Sequence, residues 1–255
     1  DVRFPKPSHL PKVLSIDEFR GNAGGQKFQA ILTDADKHKL FDILPSRSQV
    51  SLMQYLQDFP NKKEVRYFVT DMNKIYRDLA SEYFPNATIV VDKFHVIRYV
   101  TWALENVRKR VQKLLHPDKR KYFKRSRKLL LTHKYKLNKE GLQALEIMLL
   151  HSQDLATAYH LKELFYDFMD SSTRAEAAKK LRFFILAAQA NELKEFHACL
   201  TMLGNWSKYI LNTFDCSYTN GYNEGTNNAI KVIKRNAFGY RNFENFRNRI
   251  FLSLT

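Results

Sequence analysis

Four acidic residues far apart in the chain stand where an extended run or a turn gives way to a helical one. Asp17 closes Leu14-Ser15-Ile16-Asp17, Asp71 closes Phe68-Val69-Thr70-Asp71 and Asp92 closes Val90-Val91-Asp92. Glu224 follows the turn-rich stretch Ser217–Asn223 and falls in the first turn of a helical segment. Carboxylates brought to one sheet edge repel unless a cation lies among them. A divalent ion fits, because Mg2+ takes hard oxygen ligands and keeps several waters, so two or three carboxylates and substrate phosphates complete a site. Taken singly, an Asp after a strand is ordinarily a cap for the next turn or helix. Three at equivalent ends, joined by a helical Glu, weaken that reading. At 3.6 residues per turn Glu224, Asn228, Lys231 and Arg235 share one helix face, and Thr226, Ile230, Ile233 and Ala237 form an apolar stripe elsewhere. That face can carry a carboxylate to a metal and cations along a nucleic-acid backbone, although a plain acid at the helix N-terminus is the alternative.

Elements that would position these acids are legible in the periodicity. Val13–Ile16, Phe28–Leu32 and Lys39–Leu44 read as a three-stranded meander. Ser51–Phe59 reads as a helix, Val65–Thr70 as a strand, Met72 to Tyr83 as a helix and Thr88–Val91 as a strand buried on both faces. Val96, Val100, Ala103, Val107, Val111 and Leu114 trace one helical stripe ending near Pro117. From about 117 to 215 no strand is expected, and two helices, Asn223–Asn236 and Asn242–Leu254, close the chain. This order predicts an α/β, ribonuclease H-like mixed five-stranded sheet flanked by helices, with strands one, four and five parallel and their C-terminal ends together. We expect a first core segment at 1–104, an all-α insertion domain at 105–215 and a second core segment at 216–255.

The 255 residues carry a net charge of +16, and 44% are hydrophobic, enough to bury a core. The charge calls for a polyanionic partner, with nucleic acid as first candidate. It is local: residues 108–136 hold thirteen Lys or Arg against Asp118 alone, and 231–249 hold six against Glu244. We expect DNA contacts from Arg108, Arg110, Lys121 and Arg125 in the first segment and from Asn228, Lys231, Lys234, Arg235 and Arg241 around the second. Tyr122, Phe123 and Tyr135 interleave the first segment, which suits stacking or ordinary packing. Cys199 and Cys216 lack zinc-site spacing and read as reduced core thiols. No run of about 18 apolar residues occurs, and a soluble, cytoplasmic bacterial protein with no membrane or small-molecule partner is expected.

The motifs Ser15-Ile16-Asp17-Glu18, Thr70-Asp71-Met72, Pro85 through Val96, Asn223-Glu224-Gly225-Thr226-Asn227-Asn228 and Gly239 through Arg247 together resemble the DDE transposases of bacterial insertion sequences, specifically the IS-L-three family. The resemblance implies that Asp17, Asp71 and Glu224 are the catalytic and metal-binding triad, and that Asp92 and His95 match an accessory D-x-x-H signature. It implies two Mg2+ or Mn2+ ions, cleavage of DNA at transposon ends and strand transfer into target DNA. Two ends must be joined together, so a homodimer is expected. A ribonuclease H-like nuclease that hydrolyses without joining, and a non-catalytic basic DNA-binding protein of the same descent, are the alternatives. For Asp92 and His95 a helix cap and a buried His remain open. Trp102 and Trp206 are expected to pack, and Asp34, Asp36 and His38 to form a solvated hairpin.

Overall fold

The computed structural model describes residues 3–254, with the side chains of residues 122, 124 and 125 outside that description. Within these residues the chain divides into two compact units, one made of the residues up to Asp92 together with those from Cys216 on, the other of Lys93–Asp215. No helix among the described residues is long and apolar enough to cross a membrane.

The first unit is built on strands β1 (Val13–Phe19), β2 (Gln29–Asp34), β3 (Lys39–Leu44), β4 (Tyr67–Thr70) and β5 (Thr88–Val91). They form one sheet in the order β3-β2-β1-β4-β5, antiparallel from β3 to β1 and parallel from β1 to β5. This is the ribonuclease H-like arrangement expected from the sequence. Helix α1 (Gln49–Gln57) packs on α2 (Lys74–Tyr83), and α2 lies against β4. Helices α10 (Gly221–Asn236) and α11 (Phe243–Leu254) lie against β1 and β3. Their core joins Ile31, Leu40 and Ile43 of the sheet to Ile230, Phe246, Ile250 and Phe251.

β1 is longer than the sequence predicts, so Asp17 is not its last residue. The strand runs on to Phe19 because its antiparallel partner β2 pairs with it through Phe19, whereas its parallel pairing with β4 stops at Ser15. The Asp34 to His38 segment is the expected hairpin, with the Asp34 carboxylate accepting from the N–H groups of Asp36 and Lys37, both at 3.1 Å.

The second unit is all helical: α3 (Lys93–Leu114), α4 (Pro117–Arg125), α5 (Arg127–Leu131), α6 (Lys139–Leu149), α7 (Gln153–Met169), α8 (Arg174–Ala190) and α9 (His197–Leu211). α3 is continuous through residue 104, where the sequence sets the edge of its insertion domain. Side-chain caps start α6, α7 and α8, from Asn138, Ser152 and Thr173. The predicted stripe of α3 is buried from Val96 to Val111. Trp206 is buried as expected, but Trp102 is 51% exposed. It lies outside that stripe, where the Arg98 guanidinium sits over its ring at 4.5 Å. Burial pushes the Cys199 thiol up to about 12, as suits an inert core thiol.

Candidate active site

Parallel pairing fixes where the three aspartates stand. Ser15 pairs with Val69, so continuing the register by two residues sets Asp17 level with Asp71. Thr70 pairs with Val91, and the Asp92 N–H donates to the Thr70 carbonyl at 3.1 Å, so the next step sets Asp71 level with Asp92. Because side chains alternate across a sheet, residues level with one another on neighbouring strands share a face. Asp71 and Asp92 therefore follow directly on the ends of β4 and β5, and Asp17 lies two residues past the β1–β4 pairing, at one rim of this unit. Asp17 and Asp92 are buried and Asp71 is half-buried.

α10 is fastened along the same face of β1 by amide side chains. Asn220 accepts from the Ser15 hydroxyl at 2.7 Å, and its backbone N–H donates to Asp92 at 2.7 Å. Asn223 donates to Ser15 at 2.9 Å and accepts from Thr33 at 2.5 Å. Asn227 donates to the Asp17 carboxylate at 3.0 Å, and the Lys234 ammonium reaches the Arg20 carbonyl at 2.8 Å. Glu224 lies on this same helix, one residue after Asn223 and three before Asn227. Glu224 is half-buried and has no hydrogen-bond or ion-pair partner for its carboxylate among the described residues. The sequence singles out Glu224 and Asn228 in this motif and gives no role to Asn220, Asn223 and Asn227. Their spacing of three and four residues, against Ser15 and Asp17 two apart on a strand, is the signal that could have found them.

Glu18, beside Asp17, is held by Arg47 and by the Tyr76 hydroxyl, which donates at 2.7 Å. Burial first, then the charges of Glu18, Asp71 and Asp17, hold the Tyr76 hydroxyl far above the ordinary tyrosine range. The donor set is all hard oxygen, and the Asn227 side-chain oxygen is buried without a partner, which leaves an acceptor for a metal-bound water. Among the described residues no three His, Cys, Asp or Glu side chains are gathered tightly enough to cage an ion. An ion here would take fewer protein oxygens and fill its shell with water and phosphate, as Mg2+ commonly does.

The remaining expected residues fall in different settings. Asn228, Lys231, Arg235 and Arg241 are exposed, and Lys234 is half-buried, its pKa lowered by burial and by Arg20. In the helical unit His95 is half-buried on the first turn of α3, edge-on to Phe94. Lys121 is exposed there. Arg110 pairs with Asp154 and Glu195 at 2.7 and 2.6 Å. Arg108 departs from its expected place on the surface: it is 5% exposed and bonded to Glu105, Gln112 and the Phe123 carbonyl. A basic run marks a surface only where no acid one turn away draws the cation inward, and Glu105 does so. The side chain of Arg125 lies outside the described residues.

A transposase family profile matches residues 14–250 of the chain. The transposase for insertion sequence element IS1001 of Bordetella parapertussis is 27% identical over 250 residues, covering 96% of this chain and 61% of that protein. The chain thus spans about six tenths of that curated relative. A protein named as an ATP-dependent protease of Lactococcus lactis subsp. lactis is 47% identical over 55 residues, which is 20% of this chain and 18% of that protein. So short a match carries no function across. No solved structure matches the chain.

Proposed function

The chain belongs to the IS-L-three family of DDE transposases, and on that premise we propose that its sheet unit performs metal-dependent phosphoryl transfer, cutting DNA at transposon ends and joining the freed 3′-hydroxyls to target DNA. What supports this reading is the placement of Asp17, Asp71 and Asp92 at one rim, with the helix bearing Glu224 fastened to Asp17 through Asn227. Asp17, Asp71 and Glu224 would hold two Mg2+ or Mn2+ ions. Such ions, when bound, supply Lewis-acid stabilisation of the transferring phosphoryl group and lower the pKa of bound water.

The chain's own residues divide the remaining work. Asn227 orients the Asp17 carboxylate with a neutral donor, which fixes its direction. Asp92 accepts the Asn220 N–H and so sets where α10 begins, an accessory role, while His95 is assigned to a contact with DNA near the cut. Asn228, Lys231, Arg235 and Arg241 are assigned to the phosphate backbone on the sheet unit, and Lys121 on the helical unit. Lys234, tied to Arg20, serves DNA through the placement of α10. A homodimer, with one copy per transposon end, is the proposed working assembly.

The deciding experiment gives the full-length protein a pre-cut 3′-hydroxyl end, a target duplex and Mg2+. Joining that is lost in Asp17→Asn, Asp71→Asn and Glu224→Gln supports a transposase. Hydrolysis without joining assigns the chain to the nucleases. Salt-sensitive binding that is indifferent to Mg2+, with no cleavage on any substrate, makes it an architectural DNA-binding protein.

A further inference from the structure

Phe238 follows the last turn of α10 with its ring wholly exposed, at 102% of the reference area. Its backbone φ is +53°, a left-handed conformation that is an outlier for a bulky L-residue. The Gly239 N–H bonds to the Lys234 carbonyl at 2.9 Å and the Phe238 N–H to the Arg235 carbonyl at 3.1 Å. These two bonds make a Schellman turn, in which the left-handed place normally belongs to glycine. Here phenylalanine holds it and glycine comes one residue later. Exposed aromatic area and left-handed strain are both unfavourable in the free chain, so the turn presents the ring at a cost that folding alone does not explain.

The surroundings say what would cover it. Lys231, Arg235 and Arg241 are exposed on the last turns of α10 and just beyond. A lone aromatic ring among cations is poorly matched to an apolar protein face. It is matched to nucleic acid with a base out of its stack, whose phosphates meet the cations while the base lies on the ring. At 1.5 Å per residue the last residue of α10, Asn236, is about 18 Å along the helix axis from Glu224, which is about five base steps of a duplex.

We propose that Phe238 is a stacking platform for an unpaired nucleobase of the DNA substrate, several nucleotides from the scissile phosphate. The inference rests on reading the chain as DNA-acting and sharpens it by naming the form of DNA required, a duplex with a locally unpaired strand.

The test measures binding of the full-length protein, in EDTA, to a duplex and to the same duplex carrying a short unpaired tract, across a salt series. Phe238→Ala should weaken binding to the unpaired-tract DNA on the order of ten-fold, leaving duplex affinity and both salt slopes unchanged. Phe238→Trp should keep wild-type affinity and add indole fluorescence that the unpaired tract quenches. Phe238→Gly should lose the same ten-fold while melting about 2–4 °C higher, because the left-handed strain is relieved. Equal loss on both DNAs, no loss, or a change of sedimentation state in Phe238→Ala would overturn the proposal, as would a lower melting temperature for Phe238→Gly. Wild-type protein that discriminates the two DNAs through Phe238 yet never cleaves in Mg2+ removes the phosphoryl-transfer reading and leaves the platform. Cleavage and joining with an indifferent Phe238→Ala does the reverse.

Discussion

Asp42 and Asp17 are buried aspartates on strands of one sheet, and their surroundings differ in kind. Asp42 accepts two bonds from the Arg247 guanidinium, at 2.8 and 2.7 Å, and one from the Tyr55 hydroxyl at 2.6 Å. Asp17 accepts from the Glu18 N–H at 2.7 Å and from the Asn227 amide at 3.0 Å. A guanidinium brings a counter-charge to the carboxylate it binds; an amide orients a carboxylate without bringing one. The helical unit follows the first pattern, with Glu105 between Arg108 and Arg127, Glu195 on Arg110 and Glu163 on Lys162. Burial alone therefore does not separate these two settings, whereas the nature of the donor does.

The comparison breaks most visibly through the two aspartates themselves. Asp17→Asn should reduce strand transfer on the order of a thousand-fold or more, with a melting temperature close to that of the wild type. Asp42→Asn should do the opposite: a buried Arg247 without its counter-charge costs about 3–5 kcal/mol of stability, while turnover per folded molecule at low temperature stays as it was. Differential scanning calorimetry beside a joining assay separates the outcomes. A stable but inactive Asp42→Asn would erase the distinction drawn here.

A smaller effect sharpens it. Asn227→Ala removes a neutral donor from Asp17, and loss of such an orienting partner typically weakens metal affinity about ten- to a hundred-fold. Titration calorimetry with Mn2+ reads this without catalysis. Unchanged Mn2+ binding would reduce Asn227 to a packing residue that holds α10 on β1.

Much of this contrast was open to a reader of the sequence, and its hidden part has a physical cause. Lys39–Leu44 and Thr88–Val91 are strands with the bounds their apolar runs predict, because burial on a sheet is written locally in alternation and length. The shared rim of Asp17, Asp71 and Asp92 follows once parallel order is inferred. Asn223 and Asn227 are different. Polar residues on a helix read as solvent-facing, and their burial depends on Ser15, Thr33 and Asp17, which lie about 200 positions away in the chain. Arg247 is one of the six cations of the basic segment 231–249, yet it is 7% exposed against Asp42. Non-local complementarity of polar groups is what a single sequence hides best.

The smallest expected effect asks whether the same distinction holds for cations of the helical unit. Lys121 is exposed, so if it lies on DNA, Lys121→Ala should lower affinity a few-fold on any sequence and reduce the log–log salt slope by about one. Arg108 is enclosed by Glu105, Gln112 and the Phe123 carbonyl, so Arg108→Ala should leave that slope alone and lower the melting temperature instead, as the desolvated Glu105 loses one of its two guanidinium partners among the described residues. Both arms are read from one salt series and one melt. A fall in slope for Arg108→Ala would mean that its ion pair opens to DNA, and the separation of structural from binding cations inside the basic run 108–136 would have to be redrawn.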